Sequence, residues 1–425
     1  MSCPHPAEFN ITLEAEEMNL VDLVWPQQER PKYSDDPIFV LETRFAGKSW
    51  EEKVREVREE MVKKGADMLV VTALDEVAWL LNLRGNDIPY NPVFRAYVIL
   101  TPDRLELYVP AGKIMPAVDS HLRVNQCGDG RECVTINDYV SILDSLRALR
   151  LRNTVKKVLL GAKYSYSGGA SYAIYSAVPE KMRVKGTSPI LLMKARKNPK
   201  EVEGMKRAHV KDAVALCDFL SFLENEIEAG RYWSEISAAQ RLEEYRGQQQ
   251  DFVGISFDTI SAFGSNGAIV HYAPSKETSK QITNESLYLL DSGGQYKDLA
   301  TLVFPEGTGD TDVDILARRH LYAVGLDYRH GSGHGIGMFL NVHEAFESTY
   351  RLNYFGSHEP GFYLDGDFGI RLENILTVIP KETTYHFDKQ SLGFEPVTLV
   401  PFEPRLINTT LLSARQVIDS QVCRR

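Results

Sequence analysis

Residues 330–337 read His330-Gly331-Ser332-Gly333-His334-Gly335-Ile336-Gly337. Two histidines four apart would share one face of a helix. Four glycines in these eight residues argue against a helix, because each costs about 1 kcal/mol there. Glycine instead lets a backbone approach a neighbour or a ligand closely. The stretch therefore reads as a loop, either a flexible connection or a site carrying two imidazoles.

Other residues point the same way. Ser286–Leu290 is an apolar strand closed by Asp291-Ser292-Gly293-Gly294. An acid there can start a turn or face a metal. Ala268-Ile269-Val270-His271 ends an apolar run with a histidine, and Leu340-Asn341-Val342-His343 alternates apolar and polar. In Ile370-Arg371-Leu372-Glu373 the period of two places Arg371 and Glu373 on one strand face. Glu359-Pro360-Gly361 sets a further carboxylate before a forced turn. Asp291, His334, Glu359 and Glu373 make an oxygen-rich set with one imidazole. Such a set suits Mn²⁺, Co²⁺ or Zn²⁺ in a paired site better than a thiolate zinc site.

The remaining composition excludes other classes. The 425 residues carry a formal net charge of -10, spread along the chain, which argues against nucleic acid and anionic membrane as partners. No apolar stretch approaches the length of a transmembrane helix. Neither a G-x-S-x-G elbow, a P-loop nor an H-E-x-x-H motif occurs. Five cysteines do not make a disulfide framework. Cys127 and Cys133 are close enough for a local bridge, although reduced thiols are the reading preferred here.

The pattern divides the chain into a Pro-rich tail over 1–35, an α/β domain over 36–196 and a second domain over 197–425. In the first domain Ser49-x-x-Glu52 is a capping box ahead of a helix stopped by Gly65. Met68–Thr72, Arg95–Thr101, Arg104–Pro110 and Val158–Leu160 read as strands. A helix falls near Val140–Leu149. Asn198-Pro199-x-Glu201 starts a helix running to Gly230, and Ser234 starts another. Beyond about residue 252, strands and glycine-rich turns dominate.

Five segments, taken in order, resemble the Xaa-Pro aminopeptidases. They are Asp291-Ser-Gly-Gly-Gln-Tyr, His330-Gly-Ser-Gly-His334-Gly-Ile-Gly, Asn341-Val-His343-Glu344, Glu359-Pro-Gly-Phe-Tyr and Gly369-Ile-Arg-Leu-Glu373-Asn. These are pita-bread metallopeptidases related to prolidase, methionine aminopeptidase and creatinase. The resemblance covers residues from about 36 to 410. It implies an α/β (α+β) chain with a creatinase-like N-terminal domain and a pita-bread catalytic domain. The implied reaction is release of an N-terminal residue that precedes proline, by attack of metal-bound hydroxide.

By the same resemblance Asp291, His334, Glu359 and Glu373 would be metal ligands. His271 and His343 would contact substrate and move protons, while His330 and Arg371 would position it. The cofactor would be a divalent metal, manganese first and zinc or cobalt as alternatives, two per site in the family. Partners would be peptides with proline second, and a second copy of the chain in a homodimer; the expected compartment is the cytoplasm.

Three departures accompany the resemblance. The family's further N-terminal domain is reduced to a stub. The family's Thr-Thr-Asp strand, which supplies another Asp ligand, has no counterpart, because Lys297-Asp298 runs directly into Leu299-Ala300-Thr301-Leu302. Asp298 is the only acid near the gap, at a spacing that does not match. Tyr354-Phe355-Gly356-Ser357-His358 stands where an apolar strand should lead into Glu359. These departures predict a pita-bread domain lacking some strands, one metal in place of two, and impaired turnover. The alternative they raise is an inactive relative kept as a scaffold for dimerisation or peptide binding.

Overall fold

The computed structural model describes residues 20–408 and Thr410, except 127, 129–131, 152–153, 165–166, 296–302, 346–348 and 385–387. The junction from Lys297 to Leu302, with Asp298, thus lies outside the described residues. The chain divides after Asp35 into two units, and the described part of the first holds a short helix at Leu20–Val24. Residues 36–425 form the second unit.

That second unit begins with a mixed sheet. Helix α1 (Trp50–Lys63) is opened by the Ser49/Glu52 capping box expected from sequence. Its Trp50, Val54, Val57 and Met61, at helical spacing, are buried in the core. β1 (Met68–Val71) is followed by α2 (Leu74–Leu81), β2 (Tyr97–Leu100), β3 (Leu105–Val109), β4 (Thr135–Asp138), β5 (Val158–Gly161) and β6 (Arg183–Gly186). Among the described residues these strands order as β4-β3-β2-β1-β5-β6. The β2–β3 hairpin is antiparallel, and β1 lies parallel to β5 in the middle of the sheet. Both faces of β1 are buried, so it reads as a continuous apolar run.

Helix α3 (Pro189–Ala195) leads into α4 (Pro199–Glu228), whose Asn198 side chain caps the backbone N–H groups of Lys200 and Glu201. Gly230 takes the left-handed conformation expected after a helix end. α5 (Glu235–Gly247) is capped by Ser234 and packs on α4.

Beyond it lie the antiparallel pair β7 (Ile260–Phe263) and β8 (Tyr288–Asp291). A further helix, α6 (Asp310–Tyr322), follows in the region where sequence patterning points to strands and turns. Next come β9 (Phe355–His358), the β10–β11 hairpin (Gly361–Leu364, Phe368–Arg371), β12 (Asn374–Pro380) and β13 (Ser391–Pro396). β12 is central, between β9 and β13. No strand among the described residues pairs with the second edge of β8. A cavity of about 420 Å³ borders it, with Ala208 and Leu216 of α4 and Ile336 among its walls.

Three sequence readings change. Residues 355–358 do form a buried strand into Glu359, because pairing with β12 satisfies a run that is weakly apolar by sequence. Residues 340–343 form bends and not a strand, despite their alternation, after a turn at Met338 and Phe339, with Gly337 N donating to Asn341 O at 3.0 Å. Cys133 is disulfide-bonded, where reduced thiols were preferred, and Cys217 is a free exposed thiol.

Candidate metal centre

The position of the carboxylates follows from strand register. In the β10–β11 hairpin Gly361 faces Arg371, and in the β9–β12 pair His358 faces Asn374. Leu372 N donates to Pro360 O at 3.0 Å, which joins the two ladders. Continued through that junction, Glu359 stands opposite Glu373. Cross-strand partners at such positions share a face.

The glycine-rich run supplies the imidazole. It lies along the free edge of β9: Ile336 N donates to Phe355 O (3.0 Å), Ser357 N to His334 O (2.9 Å) and Glu359 N to Ser332 O (2.9 Å). A Cβ on Gly333 would lie 2.1 Å from Ser357 O, and one on Gly335 would lie 2.6 Å from Glu344 O. This close approach is what the glycines permit. Ser357 Oγ receives the His334 N–H at 2.9 Å and donates to Glu359 Oε1 at 3.0 Å.

As a result, ligand atoms of His334, Glu359 and Glu373 all lie within 4.8 Å of one another. His334 Nδ1 is 2.9 Å from Gly335 O, a carbonyl that can only accept, so Nδ1 carries the proton. Its Nε2 is then an acceptor, 3.5 Å from Glu359 Oε1. Burial pushes the Glu373 carboxyl well up, and the charges of Asp291 and Glu359 push it further. Glu359 is raised by burial and by Asp291, against the Ser357 hydrogen bond. Burial holds His334 below the ordinary histidine range. Acceptors crowded together with these electrostatics fit a divalent cation, which would relieve their mutual repulsion.

Asp291 ends β8 beside this set but outside the mutual reach of its ligand atoms. Its carboxylate accepts from the Arg371 guanidinium. Arg371 also donates through Nε to the Tyr363 hydroxyl at 2.9 Å and through a terminal nitrogen to Val270 O. The Tyr363 hydroxyl lies 2.9 Å from His330 Nε2, and His330 Nδ1 lies 2.8 Å from Gly331 O. The phenol therefore accepts from Arg371 and donates to His330. His343 stacks edge-on against His334, with ring centroids 4.3 Å apart. Burial first, then His334, lowers its pKa. His271 is exposed at a turn, and its charge is felt at both Asp291 and His343.

The sequence reading missed Tyr363. Its signal was the alternation Glu359, Gly361, Tyr363 along one strand face.

Residues 29–201 match the family model for the Creatinase/Prolidase N-terminal domain. The model for Metallopeptidase family M24 matches in two pieces, 203–303 and 297–380, which meet at the junction named above. Xaa-Pro aminopeptidase 1 of Dictyostelium discoideum is 39% identical over 457 residues, covering 96% of this chain and 70% of that one. Xaa-Pro aminopeptidase 2 of Sus scrofa is 39% identical, covering 94% of this chain and 63% of that one. The X-prolyl aminopeptidase of Caenorhabditis elegans, described as a cytosolic enzyme with a di-nuclear active site, superposes with a TM-score of 0.87 at 29% identity, covering 94% of this chain and 70% of that one. The Xaa-Pro dipeptidase of Bacillus anthracis, at 20% identity and a TM-score of 0.62, shares the fold.

This chain belongs to the M24 metallopeptidases, within the Xaa-Pro aminopeptidases. It spans between 63% and 70% of the length of the aminopeptidase relatives described above. Among the described residues no helix is long and apolar enough to cross a membrane.

Proposed function

We propose that this chain is a metal-dependent aminopeptidase that releases an N-terminal residue preceding proline. The supporting observation is the meeting of His334, Glu359 and Glu373 in a chain of this family. These three residues would hold one divalent ion, manganese by preference with zinc or cobalt as alternatives. Such an ion would polarise the scissile carbonyl and lower the pKa of water. The work of the chain's own side chains is binding and proton movement. Tyr363, fixed between Arg371 and His330, presents a phenolic oxygen whose remaining lone pair can accept from a peptide N–H. His343 and His271 are imidazoles that would take and return a proton. The division of labour proposed is 36–196 as support and 197–425 as the catalytic part.

Asp291 sets the expected level of activity. Its tie to Arg371 satisfies the carboxylate without a metal ion, and the edge of β8 that no described strand pairs is where a neighbouring strand would bring a further acid. We propose one tightly held metal per chain and turnover reduced roughly 10²-fold or more against a two-metal relative. The test is a metal count on purified protein, with cleavage of an Arg-Pro-x peptide in excess Mn²⁺. Two tight metals with full turnover would overturn the one-metal reading. No metal and no turnover, with peptide binding or dimerisation retained, would favour the scaffold reading, which the Arg371–Asp291 tie also suits. A cytoplasmic location is proposed from the Caenorhabditis elegans relative, although the Cys133 disulfide points to oxidising surroundings. Cell fractionation decides between them.

A further inference from the structure

The turn that carries His334 and His343 is not held by its own contacts alone. A bridge between Gly335 and Glu344 closes it, with Glu344 N donating to Gly335 O at 2.8 Å. Within it Phe339 has a φ of 49°, a conformation that a bulky side chain rarely takes unless its surroundings enforce it. Arg84, wholly buried, supplies that enforcement from the first half of the unit. Its Nε donates to Phe339 O at 2.6 Å and one terminal nitrogen to Met338 O at 3.1 Å, while the other binds Ala78 O (3.1 Å) and Leu83 O (2.9 Å). One guanidinium thus ties the end of α2 to the middle of the turn.

A second anchor sits at the other end of the turn. The Glu344 carboxylate, next to His343 and fully buried, is enclosed by two buried ammonium groups. Lys194 Nζ lies 2.6 Å from Glu344 Oε1 and 3.0 Å from Asp75 of α2. Lys197 Nζ reaches the other oxygen and also donates to Ala195 O at 3.2 Å. Both lysines flank the connection between α3 and α4.

We infer that Arg84, Lys194 and Lys197 are positioning residues that set His343 against His334. The inference rests on the peptidase reading above and extends it: residues outside the glycine-rich and carboxylate segments fix the geometry of the histidines. A small displacement of reacting groups is enough to cost roughly 10²-fold in rate.

The test uses the whole chain and separates positioning from folding. Lys197→Met combined with Glu344→Met removes one buried pair together and leaves Lys194 paired with Asp75, a change that buried ion pairs often tolerate. The expected result is a folded protein whose kcat falls at least about tenfold with KM changed less than about threefold. A crystal structure of that variant should show the His334–His343 ring separation enlarged from 4.3 Å. Lys194→Arg, which keeps the contact to Glu344, should retain most of kcat. Arg84→Met should reproduce the kcat loss through the Phe339 end. A folded double variant with unchanged kcat and unchanged ring separation overturns the inference. A wild type that turns over no Xaa-Pro peptide would sink the peptidase reading, and the ring separation alone would then decide the positioning claim.

Discussion

Arg371 is bound to Asp291, from the last position of β11 to the last position of β8. The guanidinium is almost buried, and it opposes the rise that burial imposes on the Asp291 carboxyl. A fixed cation therefore offsets the charge of the Asp291 carboxylate. Removing it with Arg371→Met should leave three neighbouring carboxylates with less positive charge. The expected outcome is tighter Mn²⁺ binding, by about tenfold or more in a calorimetric titration, and a lower kcat because Tyr363 loses its donor. Unchanged or weaker Mn²⁺ binding would count against this account.

Glu373→Gln should abolish tight metal binding. It removes one of the three converging side chains that could hold a metal and leaves an amide among acceptors. A loss of at least about 10²-fold in Mn²⁺ affinity is expected, read by equilibrium dialysis. Asp291→Asn should cost less, because Asp291 lies outside the converging set. Equal losses for the two variants would show that Asp291 is a full ligand.

Gly333→Ala tests the close approach of the glycine-rich run to β9. The added Cβ would meet backbone Ser357 O at 2.1 Å, so the strand-like pairing must open. We expect a loss of about 1–3 kcal/mol in thermal stability and weakened Mn²⁺ binding. At Gly331 the nearest contact to an added Cβ is 3.8 Å away, so Gly331→Ala is the control and should change little. Similar melting temperatures for both variants would refute the packing argument.

Stability should depend on pH in a definite direction. The folded-state pKa values of Glu359 and Glu373 are raised above the ordinary 4.5, by burial first and neighbouring charge next. Groups raised in this way favour the native state while protonated. Their contribution is full at low pH and is lost as pH climbs above about 4.5 through the raised values. A bound cation needs the ionised forms, so Mn²⁺ should raise the melting temperature more at pH 7.5 than at pH 5.5. The two metal-induced shifts, compared directly, give the answer.

The outer edge of β8 predicts uneven protection. Among the described residues β8 is paired on one side only, whereas β1 is paired with both β2 and β5. Amide hydrogen exchange at Leu289 and Leu290 should be faster than at Leu69 and Val70. Equal protection would mean that β8 has a partner on its second edge.

Several elements were legible in the sequence because their causes are local. The capping box at Ser49 and the Asn198-Pro199 start fixed two helix beginnings, and the strands read at Arg95–Thr101 and Arg104–Pro110 do pair. The residues His334, Glu359 and Glu373 were legible as metal-binding types through the glycine run, the forced turn and the strand alternation. Other features depend on partners distant in the chain. Residues 355–358 read as no clear strand until β12 supplies their hydrogen bonds, and Leu340–His343 reads as a strand until Arg84 holds the Met338 and Phe339 carbonyls before it and Gln295 holds the Leu340 carbonyl. Tertiary register alone brought Glu359 opposite Glu373. Only the fold paired Asp291 with Arg371, 80 residues away, because Coulomb attraction and burial act between neighbours in space, whatever their separation in sequence.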